Sequence, residues 1–356
     1  MIFQPQDRLK YKLAFIKKNT AYKMSTNLKM TSKNRNLIFT ILNIFFIICI
    51  IVWIKNNINL SDLITSFNRI SIESVFVAMA MNVFVLYLYS LRLSLILGKR
   101  LFHCFIITNI GFTANSLAPF RLGEGIKILH GNQKYDYSLG ALGAAVIIEK
   151  LYDLCAIVTL SFLTIFFTKN NFIDLKSALA MLLILSFFIC VLLYIRFSLE
   201  NKASNNRIYE VKIIAWLKKL LHGQEITALT HNMIFASLTT SLIWITNIFL
   251  IFILFKGQLA STDFTILEAV KILLIAALAI AIPAGPAGLG VFETGIVAYL
   301  TNFYAINNEQ ALSIALTYHF SITTPHTVII LIYLFILLMI FIRKKYFLSI
   351  IKNRCD

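Results

Sequence analysis

Six apolar runs, each about long enough to cross a lipid bilayer, occupy much of the chain: roughly 37–54, 74–98, 138–167, 178–197, 232–255 and 320–342. In hydrocarbon, such a run must satisfy its own backbone hydrogen bonds, and a helix does so within one segment. The expected fold class is therefore all-α: a polytopic helical membrane protein. Composition agrees, since only 14% of the 356 residues are charged, against about 25% in soluble domains. A net charge of +17 would point to nucleic acid if it were spread over a surface. Here the Lys and Arg residues gather at the two ends and in a few loops, the pattern of orientation signals in a membrane protein, so nucleic acid is not an expected partner. The five cysteines form no close pair and four of them lie in apolar runs. Neither a disulfide framework nor a metal site is expected, and no other cofactor.

Charge sets the orientation. Residues 1–36 carry nine Lys or Arg and one acid, Asp7, which predicts a basic cytoplasmic leader. Residues 1–29 show no clear periodicity, so Met24 and Met30 are alternative starts. The basic stretch 198–231 and the tail after Arg343 are also expected in the cytoplasm. Within the former, 208–221 reads as a surface helix resting on anionic headgroups. Two further apolar runs, about 102–118 and 269–282, are short and end in Pro and Gly. Parity of crossings makes each of them part of a re-entrant hairpin: 102–137 enters from the cytoplasm and 268–306 from outside. Such backbone needs protein or a wet cavity around it.

Each half then reads span, span, hairpin, span, and the halves start on opposite sides. The hairpin tips match: Pro119-Phe120-Arg121-Leu122-Gly123 against Pro286-Ala287-Gly288-Leu289-Gly290. The reading is six full spans plus two re-entrant hairpins in an inverted repeat, a recurring transporter plan. It divides the chain into the leader 1–36, one membrane domain 37–345 with half-repeats of about 37–167 and 178–342, and a tail 346–356.

Charges inside a membrane cost about 2.5–3.5 kcal/mol each on insertion scales and mark candidate sites. Arg121, Glu124 and Lys127 sit on the first hairpin. A helix restarting near Gly123 would favour an anion at its N-terminus, and the planar fork of Arg121 suits phosphate. Glu149, Lys150 and Asp153 lie in the third run; Glu149 and Asp153, four apart, share a helix face. Arg121 is their expected partner. On the second hairpin, Gly288 and Gly290 offer backbone donors and Glu293 follows one turn on. His319 and His326 are too far apart for a metal pair and read as hydrogen-bonded interior residues, while Arg92 is expected to snorkel to the cytoplasmic interface.

Together, Asn115, Pro119-x-Arg121-x-Gly123-Glu124, Glu149-Lys150-x-x-Asp153 and Pro286-x-Gly288-x-Gly290-x-x-Glu293 resemble the flippase-like membrane domain of the lysylphosphatidylglycerol synthase family. The likeness runs from about residue 37 to 342 in order and spacing. Lys150, where the family usually has Arg, Ala287, where Gly is common, and Tyr318-His319, near a position often held by Arg, depart from it. The resemblance implies a multi-span protein that moves lipids or lipid-linked sugars between leaflets. It does not imply lysylphosphatidylglycerol synthesis, which belongs to a separate soluble domain.

The expected function is a translocase of an anionic lipid or lipid-linked sugar in the cytoplasmic membrane, with both termini inside, and not an enzyme. Substrate binding falls to Arg121, Gly123, Glu124, Lys127, Gly288, Gly290 and Glu293, and gating to Glu149, Lys150 and Asp153. Two alternatives remain: a membrane-embedded transferase acting on a lipid-linked substrate, and a non-transporting partner in cell-envelope assembly.

Overall fold

The computed structural model describes residues 58–118, 121–167, 229–259, 264–281 and 286–355, with Ile48 and Val52 singly. The leader, the run 178–197, the surface segment 208–221 and nearly all of the run 37–54 lie outside the described residues. The chain divides into Met1–Val52 and Trp53–Asp356, and the architecture below is that of the second unit.

Local chemistry sets the helix ends. Asn59 caps α1 (Leu60–Asn68) by accepting from the Ser61 N–H, and Ser71 caps α2 (Ile72–Leu97) by accepting from the Ser74 N–H. Gly98, left-handed at φ 62°, ends α2. Helix α3 (Leu101–Leu117) stops at Ala118, which is extended ahead of Pro119 as a residue before proline prefers. A short turn leads to α4 (Gly123–Tyr135), then come α5 (Leu139–Phe167) and α6 (Leu229–Gln258). Helix α7 (Ile266–Ala281), a 3-10 turn at Pro286–Gly288 and α8 (Val291–Tyr304) follow. The last helix, α9 (Asn308–Cys355), contains Pro325.

Among the described residues the fold is thus nine α-helices with no strand. Three stretches are long and apolar enough to cross a membrane: Ile72–Leu97, Ile234–Gln258 and Asn308–Arg343. The last starts a dozen residues earlier than its apolar run. The Asn307 side chain accepts from the Gln310 N–H at 2.9 Å and caps α9 there, and of the polar residues that hid this first third from the sequence pattern, Ser313, Thr317 and His319 are buried.

Helices α2 and α6 pack along each other and α9 lies against α2, α3 and α8. The main core gathers Phe255, Phe292, Leu250, Ile251 and Leu300, and a smaller one joins Leu93, Ile107 and Leu142 of α2, α3 and α5. Large apolar side chains such as Phe76, Phe84, Phe235 and Phe335 point outward, as a lipid-facing surface requires. Arms α3 and α4 cross at glycine: a Cβ on Gly123 would lie 2.0 Å from the Gly111 carbonyl oxygen.

Candidate functional site

Between the two hairpin tips lies a cavity of about 510 Å³, walled by α2–α9 and the 3-10 turn. Charge enters it mainly from α5. Glu149, buried at 4% exposure, binds Lys127 of α4 at 2.5 Å. Asp153 binds Arg92 of α2 through both carboxylate oxygens, at 2.8 and 3.3 Å. Lys150 reaches back to Glu124 at 2.8 Å. One helical face of α5 thereby ties down the return arm of the first hairpin and the C-terminal part of α2.

These pairings differ from the sequence expectation in two ways. Arg121 does not partner Glu149 or Asp153. Arg92 does not snorkel: it is 1% exposed, donates to Thr240 Oγ1 at 3.2 Å and lies over the Tyr89 ring. A guanidinium removed from water needs this much compensation, because the desolvation of an ion costs several kcal/mol. Reading Arg92 against Asp153 from sequence would have required knowing that α2 and α5 touch.

Arg121 stands apart. It lines the cavity, is exposed, and makes no ion pair among the described residues. Its backbone is left-handed, at φ 54°, a conformation that costs a residue bearing a Cβ about 1–2 kcal/mol. The second tip is built from the same kind of backbone, with Ala287 at φ 57°, Gly288 at φ 78° and Gly290 at φ 88°. Ala287 and Gly288 reach the cavity wall.

The remaining candidates support the tips from behind. The Gly123 N–H donates to Asn115 Oδ1 at 2.7 Å, and the Gly290 N–H donates to Glu293 Oε2 at 2.7 Å. Glu293 sits behind the wall and bonds His319 Nδ1 through its other oxygen at 2.5 Å. Ser116, at the end of α3, bonds His326 Nε2 at 2.9 Å. Both histidines line the cavity, one tied to each hairpin. Their seven-residue spacing, two helical turns, places them on one face of α9; tested only as a metal spacing, that signal passes unnoticed.

Arg92 Nε, Thr108 Oγ1, Glu149 Oε1 and Trp244 Nε1 are buried with no hydrogen-bond partner among the described residues, and all four residues line the cavity. An unmet buried polar atom costs about 1–3 kcal/mol, so the wall carries polar capacity that its own side chains leave unused.

Residues 40–330 match the family described as the lysylphosphatidylglycerol synthase TM region. The chain belongs to this family. The match takes in both hairpins and every candidate residue named above. It makes the chain a helical membrane protein related to lipid or cell-envelope function. A comparison with curated proteins found no match.

Proposed function

We propose that this protein translocates an anionic lipid, or a lipid-linked sugar, between the leaflets of the cytoplasmic membrane, with the cavity between the hairpin tips as its headgroup site. One observation carries the reading. Three cations of the wall are each held by an acid in an ion pair, whereas Arg121 forms no ion pair among the described residues, the Glu124 charge that reaches it being already held by Lys150, and it occupies a costly backbone conformation at the tip. A guanidinium outside any ion pair at such a place suits a phosphate, which it grips with two parallel hydrogen bonds. Gly288 adds close backbone approach, while Lys127 is held by Glu149. The donors of Gly123 and Gly290 are spent on Asn115 and Glu293 and act as supports.

The packing supports an inverted repeat of six spans and two re-entrant hairpins. Exchange α2 with α6, α3 with α7, α4 with α8 and α5 with α9. The α2–α6 contact maps onto itself, α3–α9 onto α5–α7, and α2–α9 onto α5–α6; all of these contacts are present. Even the side-chain links correspond, Lys127–Glu149 joining α4 to α5 and the Glu293–His319 hydrogen bond joining α8 to α9. Two halves exchanging arms around one cavity is the geometry that alternating access needs. The positive-inside pattern of the sequence supports cytoplasmic termini at both ends.

Leaflet exchange of fluorescent lipids in proteoliposomes, over a panel of anionic headgroups, tests the reading. Arg121→Ala is expected to abolish exchange at normal protein levels, and Arg121→Lys to retain little of it, since a point charge does not reproduce the fork. Near-normal exchange by Arg121→Ala would sink the site. Headgroup turnover without leaflet exchange would favour a transferase instead.

A further inference from the structure

Resting on the reading of the cavity as a headgroup site, we propose that each singly charged phosphodiester headgroup enters together with one proton, held by the Glu293–His319 pair. The charges around the cavity balance. Four cations, Arg92, Arg121, Lys127 and Lys150, face four carboxylates, Glu124, Glu149, Asp153 and, behind His319, Glu293. Six of these form the three ion pairs already described. The two left over, Arg121 and Glu293, belong to different hairpins. With neutral imidazoles the described wall is neutral as a whole. A monoanion gripped by Arg121 then leaves the charge of Glu293 uncompensated in a buried place, which is strongly unfavourable. One proton on the Glu293–His319 pair removes the imbalance.

The geometry selects this pair. His319 stands on the cavity wall with Glu293 directly behind it at 2.5 Å, and both are buried. An imidazole changes charge near neutral pH and passes a proton from one ring nitrogen to the other. The titratable groups that share its surroundings are few. Helix α8 brings Glu293, α2 brings Arg92 and Tyr89, and α9 itself brings Tyr318 and His326. Among the described residues α3 and α6 put no titratable side chain on the wall, and α1 puts no residue there at all. The acids of α4 and α5 each have a cation. His326 bonds the Ser116 hydroxyl and no carboxylate, so a proton there would lack a counter-charge. Glu293 also holds the Gly290 N–H, so the proton's arrival is felt at the backbone of the second tip.

The test uses the purified full-length protein and dihexanoyl phosphatidylglycerol, a phosphodiester with one negative charge. Calorimetry in buffers of different ionisation enthalpy counts the protons taken up on binding. Uptake of about one proton per lipid is expected wherever the free pair is unprotonated, with affinity falling about tenfold per pH unit there. Glu293→Gln removes the extra charge while its amide still accepts from Gly290 and donates to His319. This variant is expected to bind the lipid without proton uptake, independently of pH and more tightly than the unaltered protein at the alkaline end of that range. A structural role alone would weaken binding at every pH and keep the slope, and that result would overturn the assignment to this pair. Binding by the unaltered protein without net proton uptake would overturn the proposal and leave the headgroup reading standing. Absence of binding at every pH would overturn both. Should Glu293→Gln fail to fold, the proton count of the unaltered protein decides alone.

Discussion

Two arginines with the same formal charge do opposite work in this cavity. Arg92 is fully enclosed, paired and hydrogen-bonded, and its contribution is structural. Removing one partner of such a pair strands a charge and costs about 3–5 kcal/mol. Arg92→Ala is therefore expected to lower the unfolding midpoint in detergent sharply. Arg92→Met combined with Asp153→Leu should recover most of that loss, because no unpaired charge is left behind. A double variant no more stable than Arg92→Ala would show that the pair is not the main effect. Arg121 inverts this pattern. Its left-handed backbone suits glycine, so Arg121→Gly relieves strain of about 1–2 kcal/mol, partly offset by the greater freedom of an unfolded glycine. Unchanged or slightly higher thermal stability with leaflet exchange lost is the expected outcome. A clear drop in stability would mean that Arg121 holds the tip together.

At the scale of elements, the hairpin arms and α9 depend on single small or interrupting residues. Gly123 has backbone and the Asn115 side chain where a Cβ would go, whereas nothing lies within 4 Å of a Cβ on Gly125. Gly123→Ala should force α3 and α4 apart and reduce folded protein, while Gly125→Ala should be neutral or stabilise by up to about 1 kcal/mol through helix propensity. Equal behaviour of the two in a melting series would contradict the close crossing. In α9, Pro325 has no N–H for the Ser321 carbonyl, and Asn82 of α2 donates to that carbonyl at 3.3 Å. Asn82→Ala should then cost about 0.6–1.5 kcal/mol, and a Pro325→Ala background should abolish most of that cost. A double-mutant cycle by thermal unfolding measures it. These contacts show what the sequence could and could not convey. The long apolar helices, the helix ends ahead of Pro119 and Pro283 and the shared face of Glu149 and Asp153 were legible, because periodicity and chain breaking are local. Who pairs with whom was not. Arg92 finds Asp153 across 61 residues and Asn82 finds Ser321 across 239, and only packing brings such residues together. His319 and His326 were visible as residues but carried no local sign of the hairpin each would hold.

For the whole molecule, the reading turns on which side each hairpin returns to. Lys99 and Arg100 follow close after α2, and by the positive-inside rule that end is expected in the cytoplasm. If α3 and α4 dip in and return, Lys134 at the end of α4, exposed in the structure, also lies in the cytoplasm. By the same parity α7 and α8 return to the exterior, where α9 begins. Helix α9 then runs inward from Asn308 past the cavity to Arg343, Lys344 and Lys345, a basic cluster suited to the cytoplasmic headgroups. Its stretch Asn308–Arg343, 36 residues long, spans about 54 Å, more than the bilayer core of about 30 Å, so it is longer than a straight crossing needs. Single cysteines in a cysteine-free background resolve the matter. Lys134→Cys should react with a membrane-impermeant maleimide only in inverted vesicles, and Asn308→Cys only in intact cells. Asn308 is the better probe than its neighbour because Asn307 caps the helix. Labelling of Lys134→Cys from outside would turn the first hairpin into a true span and reverse the orientation of everything after it. The two tips would then no longer enter from opposite sides, and the paired arms around the cavity would lose the inverted symmetry on which alternating access depends.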